Sequence, residues 1–156
     1  MKLLGHDFEQ PVYVPKTVWL RHGPFAMWLV KAARPKRIVE LGSHYGYSYF
    51  AFCQAVEKAG LSTKCFAVDT WRGDEHAGFY GDEVFKAVQD ENKQYKEFST
   101  LLRMTFAEAL SEIEDGSVDL LHIDGRHFYD DVKEDFENWI PKLSECAVVL
   151  FHDTEV

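Results

Sequence analysis

The chain has 156 residues, a length typical of one domain, and 46% of them are hydrophobic, so a sizeable core can form. Its formal net charge is −9 and its pI is about 5.2, which argues against binding to nucleic acid phosphates or to an anionic membrane surface. No apolar run approaches the ~20 residues of a membrane-spanning helix, and residues 1–10 lack the features of a signal peptide. The three cysteines are scattered singly, as is typical of free thiols in a reducing compartment. We therefore expect a cytoplasmic domain that binds neither nucleic acid nor membranes.

Strand and helix patterns alternate along the chain after an N-terminal arm, residues 1–16. Helices are predicted at Thr17–Ala33 (interrupted at Gly23 and Pro24), Tyr47–Ala59, Asp82–Phe98, Ala107–Ile113 and Tyr129–Leu143. Strands are predicted at Arg37–Leu41, Lys64–Val68, Thr100–Phe106, Val118–Ile123 and Ala147–Phe151. Short links between alternating elements indicate an α/β fold, a Rossmann-like parallel sheet with helices on both faces. In such sheets ligands bind at the carboxyl ends of the strands.

The segment Arg37–Ser48 combines a strand, a tight turn and the start of a helix. An apolar run ends near the carboxylate of Glu40, and Gly42 and Gly46 follow, four residues apart. Glycine lets a ligand approach the bare backbone, and a helix start offers unpaired N–H groups. The spacing is neither the dinucleotide motif nor the phosphate-binding loop, and a carboxylate here would repel a pyrophosphate. It suits a ligand with an ammonium group and ribose hydroxyls, such as S-adenosylmethionine (SAM).

Five residues around this turn are candidates for contacts with that ligand. Glu40 is expected to order the turn and attract the amino end of the ligand. Asp69, at the end of the second strand, can accept two hydrogen bonds from a ribose diol, although it can equally be a helix N-cap or a solvated loop residue. Ser48 can hold a carboxylate at the positive end of the helix, or it is an ordinary helix residue. Trp71 and Phe106 are candidates to flank adenine, with packing as the alternative role.

Aspartate and histidine recur together at the ends of the fourth and fifth strands. Asp124 and His127 follow the fourth strand, and His152 and Asp153 follow the fifth. Two carboxylates with one or two imidazoles can hold a divalent cation. They can equally set up a general base, in which the carboxylate orients a histidine. His122, inside the fourth strand, is expected to be a core residue.

Four segments resemble, in their sequence and in their order, those of class I SAM-dependent methyltransferases. They are Val39–Ser48, Val68–Trp71, His122–Tyr129 and Phe151–Asp153. More narrowly, they resemble the small O-methyltransferase-type group whose fourth-strand motif is I-D-G-x-H-x-Y. Domains of that group often occur near or fused to glycosyltransferases. The resemblance extends from Trp19 to the C-terminus.

The resemblance implies roles for matching residues. Those of the SAM-binding turn are Glu40, Gly42, Gly46 and Ser48. Asp69 matches the ribose-binding acid. Asp124, His127 and Asp153 match positions that line the reaction centre in relatives, and metal-dependent relatives place metal-binding carboxylates at these strand ends. The implied cofactor is SAM, and Mg²⁺ or Mn²⁺ on Asp124 and Asp153 is left open.

The sequence therefore predicts a methyltransferase that O-methylates a sugar, a glycan precursor or another small hydroxyl compound. Either His127 or His152 would be the base, or a metal on Asp124 and Asp153 would lower the pKa of the hydroxyl. The family fold has seven strands, so domain 17–156 is expected to lack the last two. A second copy of the chain or an attached domain would then cover the fifth strand. The alternative is a non-catalytic SAM-fold module or a fragment of a larger glycan-modifying protein.

Overall fold

The computed structural model describes residues 9–17, 19–74 and 78–152. The strands in this part are β1 (Arg37–Leu41), β2 (Lys64–Asp69), β3 (Gly73–Asp74), β4 (Gly78–Phe79), β5 (Ser99–Arg103), β6 (Val118–Ile123) and β7 (Leu143–Phe151). Five of them form a parallel sheet in the order β5-β2-β1-β6-β7, and β3 and β4 form a short antiparallel hairpin. The predicted parallel sheet is confirmed, whereas the hairpin lies in a segment for which the sequence predicted neither a strand nor a helix.

The helices are α1 (Gly23–Ala33), α2 (Tyr47–Lys58), α3 (Asp82–Asn92), α4 (Phe106–Ala109) and α5 (Tyr129–Trp139). Single 3₁₀ turns lie at Trp19–Arg21, Lys93–Tyr95, Leu110–Glu112 and Ile140–Lys142. Side chains of α1, α2 and α3 pack on one face of the sheet, and those of α4 and α5 pack on the other. Helices on both faces are therefore confirmed. Among the described residues, no helix is both long enough and apolar enough to span a membrane.

Several element boundaries differ from the sequence prediction, and three of these differences have a clear structural cause. The first helix begins at Gly23, because Pro24 favours the first turn of a new helix, and a separate 3₁₀ turn precedes it. The third strand of the sheet ends at Arg103, and Phe106 begins α4 instead of ending the strand. Thr105 and Glu108 form a capping box that starts this helix. The last strand begins at Leu143, four residues before the expected start, because Leu143 pairs with Val118.

The register places the residues that follow β1, β6 and β7 side by side at one edge of the sheet. The Gly42 amide donates to the Val68 carbonyl at 2.9 Å, and the Asp124 amide donates to the Leu41 carbonyl at 2.8 Å. The His152 amide donates to the Ile123 carbonyl at 3.1 Å. This edge, at the carboxyl ends of the strands, carries the candidate site.

Residues 9–16 belong to the predicted arm, and this described part lies against α1 and α2. The Val12 amide donates to Gln54 Oε1 at 2.8 Å, and Glu9 pairs with Lys31 and Lys58. The hydrogen bonds and charges of the two lysines lower the pKa of Glu9 to about 2. These contacts attach the arm to the helical layer next to the candidate site.

Candidate active site

The turn between β1 and α2 has a backbone that requires glycine at its first position. Gly42 has φ of 86°, and a Cβ there would lie 2.2 Å from the Asp124 carbonyl oxygen. The loops after β1 and β6 therefore approach so closely that no side chain fits between them. Gly46, with φ of 79°, caps the start of α2. His44 also has positive φ, 46°, which is uncommon for a residue with a side chain.

Asp69 holds this turn through backbone amides. Its Oδ2 accepts from the amides of Ser43 at 3.0 Å and His44 at 2.9 Å, and its Oδ1 accepts from the Trp71 amide at 2.7 Å. A carboxylate offers about four acceptor positions, so these bonds leave capacity for one more donor. Asp69 is half-buried and lines a cavity. It therefore fixes the turn and can still accept a hydrogen bond from a ligand hydroxyl.

Trp71 supports the turn from the protein interior. Its side chain is fully buried, its Nε1 donates to the His44 carbonyl at 2.9 Å, and its ring packs on Phe85. It lines a neighbouring cavity of about 790 Å³ and not the cavity next to Asp69. Trp71 therefore anchors the turn, and its contact with adenine stays a prediction.

Glu40 lies deeper than the sequence suggested. It is 0% exposed, inside β1, with Oε1 accepting from Ser43 Oγ at 2.7 Å and Oε2 lying 2.8 Å from His122 Nδ1. Such a carboxylate can order the turn, as expected. It cannot attract the amino end of a ligand by contact, because the protein covers it completely. His122 is buried, as expected for a core residue.

Two of the cavities at this edge of the sheet adjoin each other. The smaller has a volume of about 330 Å³, and Asp69 and Phe106 are among its walls. The larger has a volume of about 580 Å³, and Ser48, His127 and His152 are among its walls. Both are lined by Gly42, His44, Tyr80, Asp124 and Gly125. Volumes of this size are typical of small-molecule sites.

Asp124 and two histidines form a compact cluster in the wall of the larger cavity. Asp124 Oδ1 lies 3.3 Å from His127 Nε2 and 3.0 Å from His152 Nδ1. Burial raises the pKa of Asp124, but the contacts with His127 and His152 outweigh it, so the pKa of this carboxyl lies below its usual range. Asp124 is therefore ionised at neutral pH, and it lies in contact with both imidazoles.

The same three residues have the donor types of a metal site. One ligand atom from each of Asp124, His127 and His152 lies within 4.8 Å of the others. One carboxylate and two imidazoles suit a transition metal such as Mn²⁺ better than Mg²⁺, which prefers oxygen ligands. The predicted metal pair was Asp124 with Asp153, and Asp153 lies outside the described residues.

Sequence reasoning missed two residues that line both cavities, His44 and Tyr80. Their rings lie 5.1 Å apart, so they form one aromatic wall. Tyr80 comes from the segment after the short hairpin, where no periodic pattern was visible, and His44 occupies a variable position of the glycine turn. Trp19 is buried but also lines the larger cavity. Only the fold brings these residues to the site.

Comparisons with known proteins identify one family and one relative of high sequence identity. A family model described as a methyltransferase domain matches residues 39–154, most of the chain. The uncharacterized protein y4gI of Sinorhizobium fredii is 68% identical over 157 residues, which cover 100% of this chain and 17% of that protein. The chain thus spans about a sixth of the length of this curated relative.

Solved structures share the fold at low sequence identity. The SAH-bound methyltransferase PaMTH1 of Podospora anserina has a TM-score of 0.67 and 19% identity, over 88% of this chain and 53% of that chain. The SAM-bound O-methyltransferase TomG of Streptomyces achromogenes has a TM-score of 0.64 and 17% identity, over 86% and 56%. A methyltransferase from Geobacter sulfurreducens has a TM-score of 0.63 and 15% identity, over 89% and 62%.

Proposed function

Because the chain belongs to the family of methyltransferase domains, we propose that it binds SAM and transfers the methyl group to a hydroxyl oxygen of a small acceptor. The observation that carries this proposal is the cluster of Asp124, His127 and His152 beside a cavity that begins at the glycine turn. The SAM-bound and SAH-bound proteins of the same fold support the choice of cofactor.

The residues of the smaller cavity fit the adenosyl part of SAM. Asp69 has acceptor capacity for a ribose hydroxyl, and Phe106 offers a half-buried ring for an adenine face. The larger cavity continues past Gly46 and Ser48 at the start of α2, where helix N–H groups favour a carboxylate. The two cavities together therefore match a ligand with a nucleoside at one end and an amino acid at the other.

The histidines can remove the proton of the acceptor hydroxyl. Bound SAM supplies an electrophilic sulfonium methyl group, and the protein has to position the oxygen and take up its proton. Asp124 contacts Nδ1 of His152 and Nε2 of His127. The opposite ring nitrogen, Nε2 of His152 or Nδ1 of His127, is then the atom that accepts the proton. The ionised Asp124 stabilises the imidazolium that results.

A metal-assisted reaction is the second mechanism that a specific observation favours. Asp124, His127 and His152 would hold the cation, which would lower the pKa of the acceptor hydroxyl. Loss of methyl transfer on chelation, with recovery on adding Mn²⁺, would identify this mechanism. Transfer that survives chelation would leave the histidine base.

We propose a sugar or glycan precursor as the acceptor. The larger cavity combines aromatic rings with polar groups, a lining that suits a polyhydroxylated ring. The members that support this are Thr17, Trp19, Tyr45, Tyr80, His127 and His152. A non-catalytic SAM-binding module remains the rival function. The oriented imidazoles favour catalysis, since binding alone does not require them.

Calorimetry with S-adenosylhomocysteine (SAH) tests the cofactor proposal. We expect SAH to bind this chain, NAD not to bind, and Asp69→Ala to weaken SAH affinity by about 1–3 kcal/mol through lost hydrogen bonds to a charged acceptor. Asp119 supplies a matched control, because its Oδ2 accepts from the Lys36 and Arg37 amides at the opposite edge of the sheet. Asp119→Ala should leave SAH affinity unchanged. No SAH binding by the unmodified chain would contradict the proposal.

A further inference from the structure

The N-terminal arm reaches the larger cavity through Lys16, a residue that the proposed reaction does not use. Lys16 is among the residues that line this cavity. Three positions earlier, the Tyr13 hydroxyl donates to the Tyr45 carbonyl in the glycine turn at 3.0 Å. The Tyr13 ring also meets the Phe50 ring of α2 edge-to-face, with 5.3 Å between the ring centres. The arm is therefore attached to the site itself as well as to the helical layer.

The backbone on the other side of Lys16 is held as well. The Trp19 amide donates to Thr17 Oγ1 at 3.0 Å, and the Trp19 side chain is buried in the wall of the same cavity. Contacts before and after Lys16 therefore fix the backbone from which its side chain extends. The fold brings an ammonium group to this cavity as part of its structure.

Lys16 brings a positive charge that the protein does not neutralise. It is the only lysine or arginine among the described residues that line the larger cavity. Its side chain is exposed, and within the described part of the chain its ammonium has no ion pair or hydrogen bond. The carboxylate in the same lining, Asp124, contacts His127 and His152 instead. A ligand that supplies a negative charge would complement Lys16.

The charges around Lys16 make this complementarity selective. The formal net charge of the chain is −9, so the protein as a whole repels an anion, and an anionic ligand needs a local cation where it binds. The smaller cavity also contains a cation, Arg126, but its Nε lies 3.2 Å from Asp131 Oδ2. Arg126 therefore has a protein carboxylate as its partner, whereas Lys16 is available to a ligand.

We propose that Lys16 is a specificity-determining residue that selects an acceptor with a carboxylate or phosphate group, such as a uronic acid or a sugar phosphate. The ammonium pairs with this anionic group while the hydroxyl to be methylated lies beside His127 and His152. The inference rests on the proposed function, since it names the charge of the proposed acceptor. It assigns Lys16 to acceptor binding and not to cofactor binding.

Three sugars with similar rings compare neutral with anionic ligands: glucose, glucuronate and glucose 6-phosphate. Each is titrated into the SAH-loaded chain, and binding is followed by the NMR signals of the His127 and His152 rings. We expect at least one of the two anions to bind about three- to tenfold more tightly than glucose at low salt. This preference should shrink at about 0.5 M salt, because the ammonium is exposed. The anion that binds more tightly distinguishes a carboxylate from a phosphate.

Substitutions at Lys16 show whether its charge causes the preference. Lys16→Met keeps a long side chain without the charge, so the anions should then bind no more tightly than glucose. Lys16→Arg should keep the preference. Lys96 supplies a matched control, because it is an exposed lysine before the start of β5, at the opposite edge of the sheet. Lys96→Met should leave the binding of all three sugars unchanged.

Several results would overturn the inference. Both anions could fail to bind more tightly than glucose, or their preference could survive in Lys16→Met or be lost equally in Lys96→Met. A loss of SAH affinity beyond about threefold in Lys16→Met would also overturn it, because Lys16 would then bind the cofactor. Failure of SAH to bind the unmodified chain would refute only the proposed function. The sugars can be titrated without SAH, so the two failures are distinguishable.

Discussion

Asp69 and Asp124 lie at the same edge of the sheet, on either side of Gly42, but their carboxylates have different partners. Asp69 accepts from three backbone amides, which cannot titrate or turn away. Asp124 contacts two imidazoles, whose protonation and ring orientation can change. The first arrangement fixes a backbone, and the second prepares side chains for proton transfer.

This difference divides the edge into a binding half and a reacting half. Backbone donors give the Asp69 half a permanent shape, as a cofactor site requires. Imidazole partners give the Asp124 half groups that can exchange protons near neutral pH. The two halves meet where Gly42 approaches the Asp124 backbone. A substitution in one half can therefore be tested for its effect on the function of the other half.

The largest effect should come from Asp124→Asn. We expect methyl transfer from SAM to hexoses or nucleotide sugars to fall by about 10²–10⁴, because the imidazoles lose the carboxylate that orients and stabilises them. SAH affinity should stay within about threefold, because Asp69 and the glycine turn are intact. Transfer is measured with methyl-labelled SAM and affinity by calorimetry. Equal loss of both properties would show that the two halves are not separable.

The second largest effect should come from substitution of Gly42, where the two halves meet, and it should appear in the stability of the fold. Gly42→Ala should lower the free energy of unfolding by roughly 3–5 kcal/mol, because the Cβ meets the Asp124 backbone and φ is positive. Gly116 is a matched control, since its φ is 66° but nothing lies within 4 Å of its Cβ position. Gly116→Ala should cost only about 1–2 kcal/mol. Urea unfolding of both variants gives the comparison, and similar losses would remove the close approach as its cause.

A smaller effect is expected at Asp135, a third carboxyl group, whose described neighbours raise its pKa and do not stabilise its charge. Burial, and then the charges of Asp131 and Glu134, raise the pKa of Asp135 to about 6. The folded protein therefore holds this proton more tightly than the unfolded chain, whose aspartates titrate at about 4. Ionised Asp135 destabilises the fold above pH 6, and the penalty disappears as the pH falls through 6 towards about 4.

Asp135→Asn should consequently raise the free energy of unfolding at about pH 8 by roughly 1–2 kcal/mol, a value reduced for partial exposure. At about pH 3.5 the variant and the unmodified chain should unfold alike, since both side chains are then neutral. Denaturant curves at the two pH values check this. A gain of the same size at both would show that charge is not the cause.

The sequence predicted the sheet and the main elements because local signals determined them. The apolar strand, the glycine turn and the helix Tyr47–Lys58 follow one another directly, so they can be predicted without knowing any contact between distant residues. The boundary at Arg103 was missed because the apolar pattern was extended through Thr105 and Glu108, although their capping box is visible in the sequence. The boundary at Leu143 was missed because pairing with Val118 on another strand sets it, and no local pattern shows that pairing.

The candidate site was predictable as a set of residues at strand ends, but not as a set of contacts. Asp69 and Asp124 could be named from their position after a strand. That Asp69 binds three amides, and that Glu40 pairs with His122, depends on the neighbouring strand and on the side chain's depth. Tyr80 reaches the site only through the packing of the hairpin. These contacts exist only in the folded chain.

A crystal structure of the chain with SAH tests the division of the edge most directly. The account predicts the ribose within hydrogen-bond distance of Asp69, the homocysteine along the turn from Gly42 to Gly46, and the sulfur directed towards Asp124 and its histidines. SAH bound in a separate cavity of about 790 Å³ that Arg103 and Asp82 line, or bound with its sulfur turned away from Asp124, would contradict it.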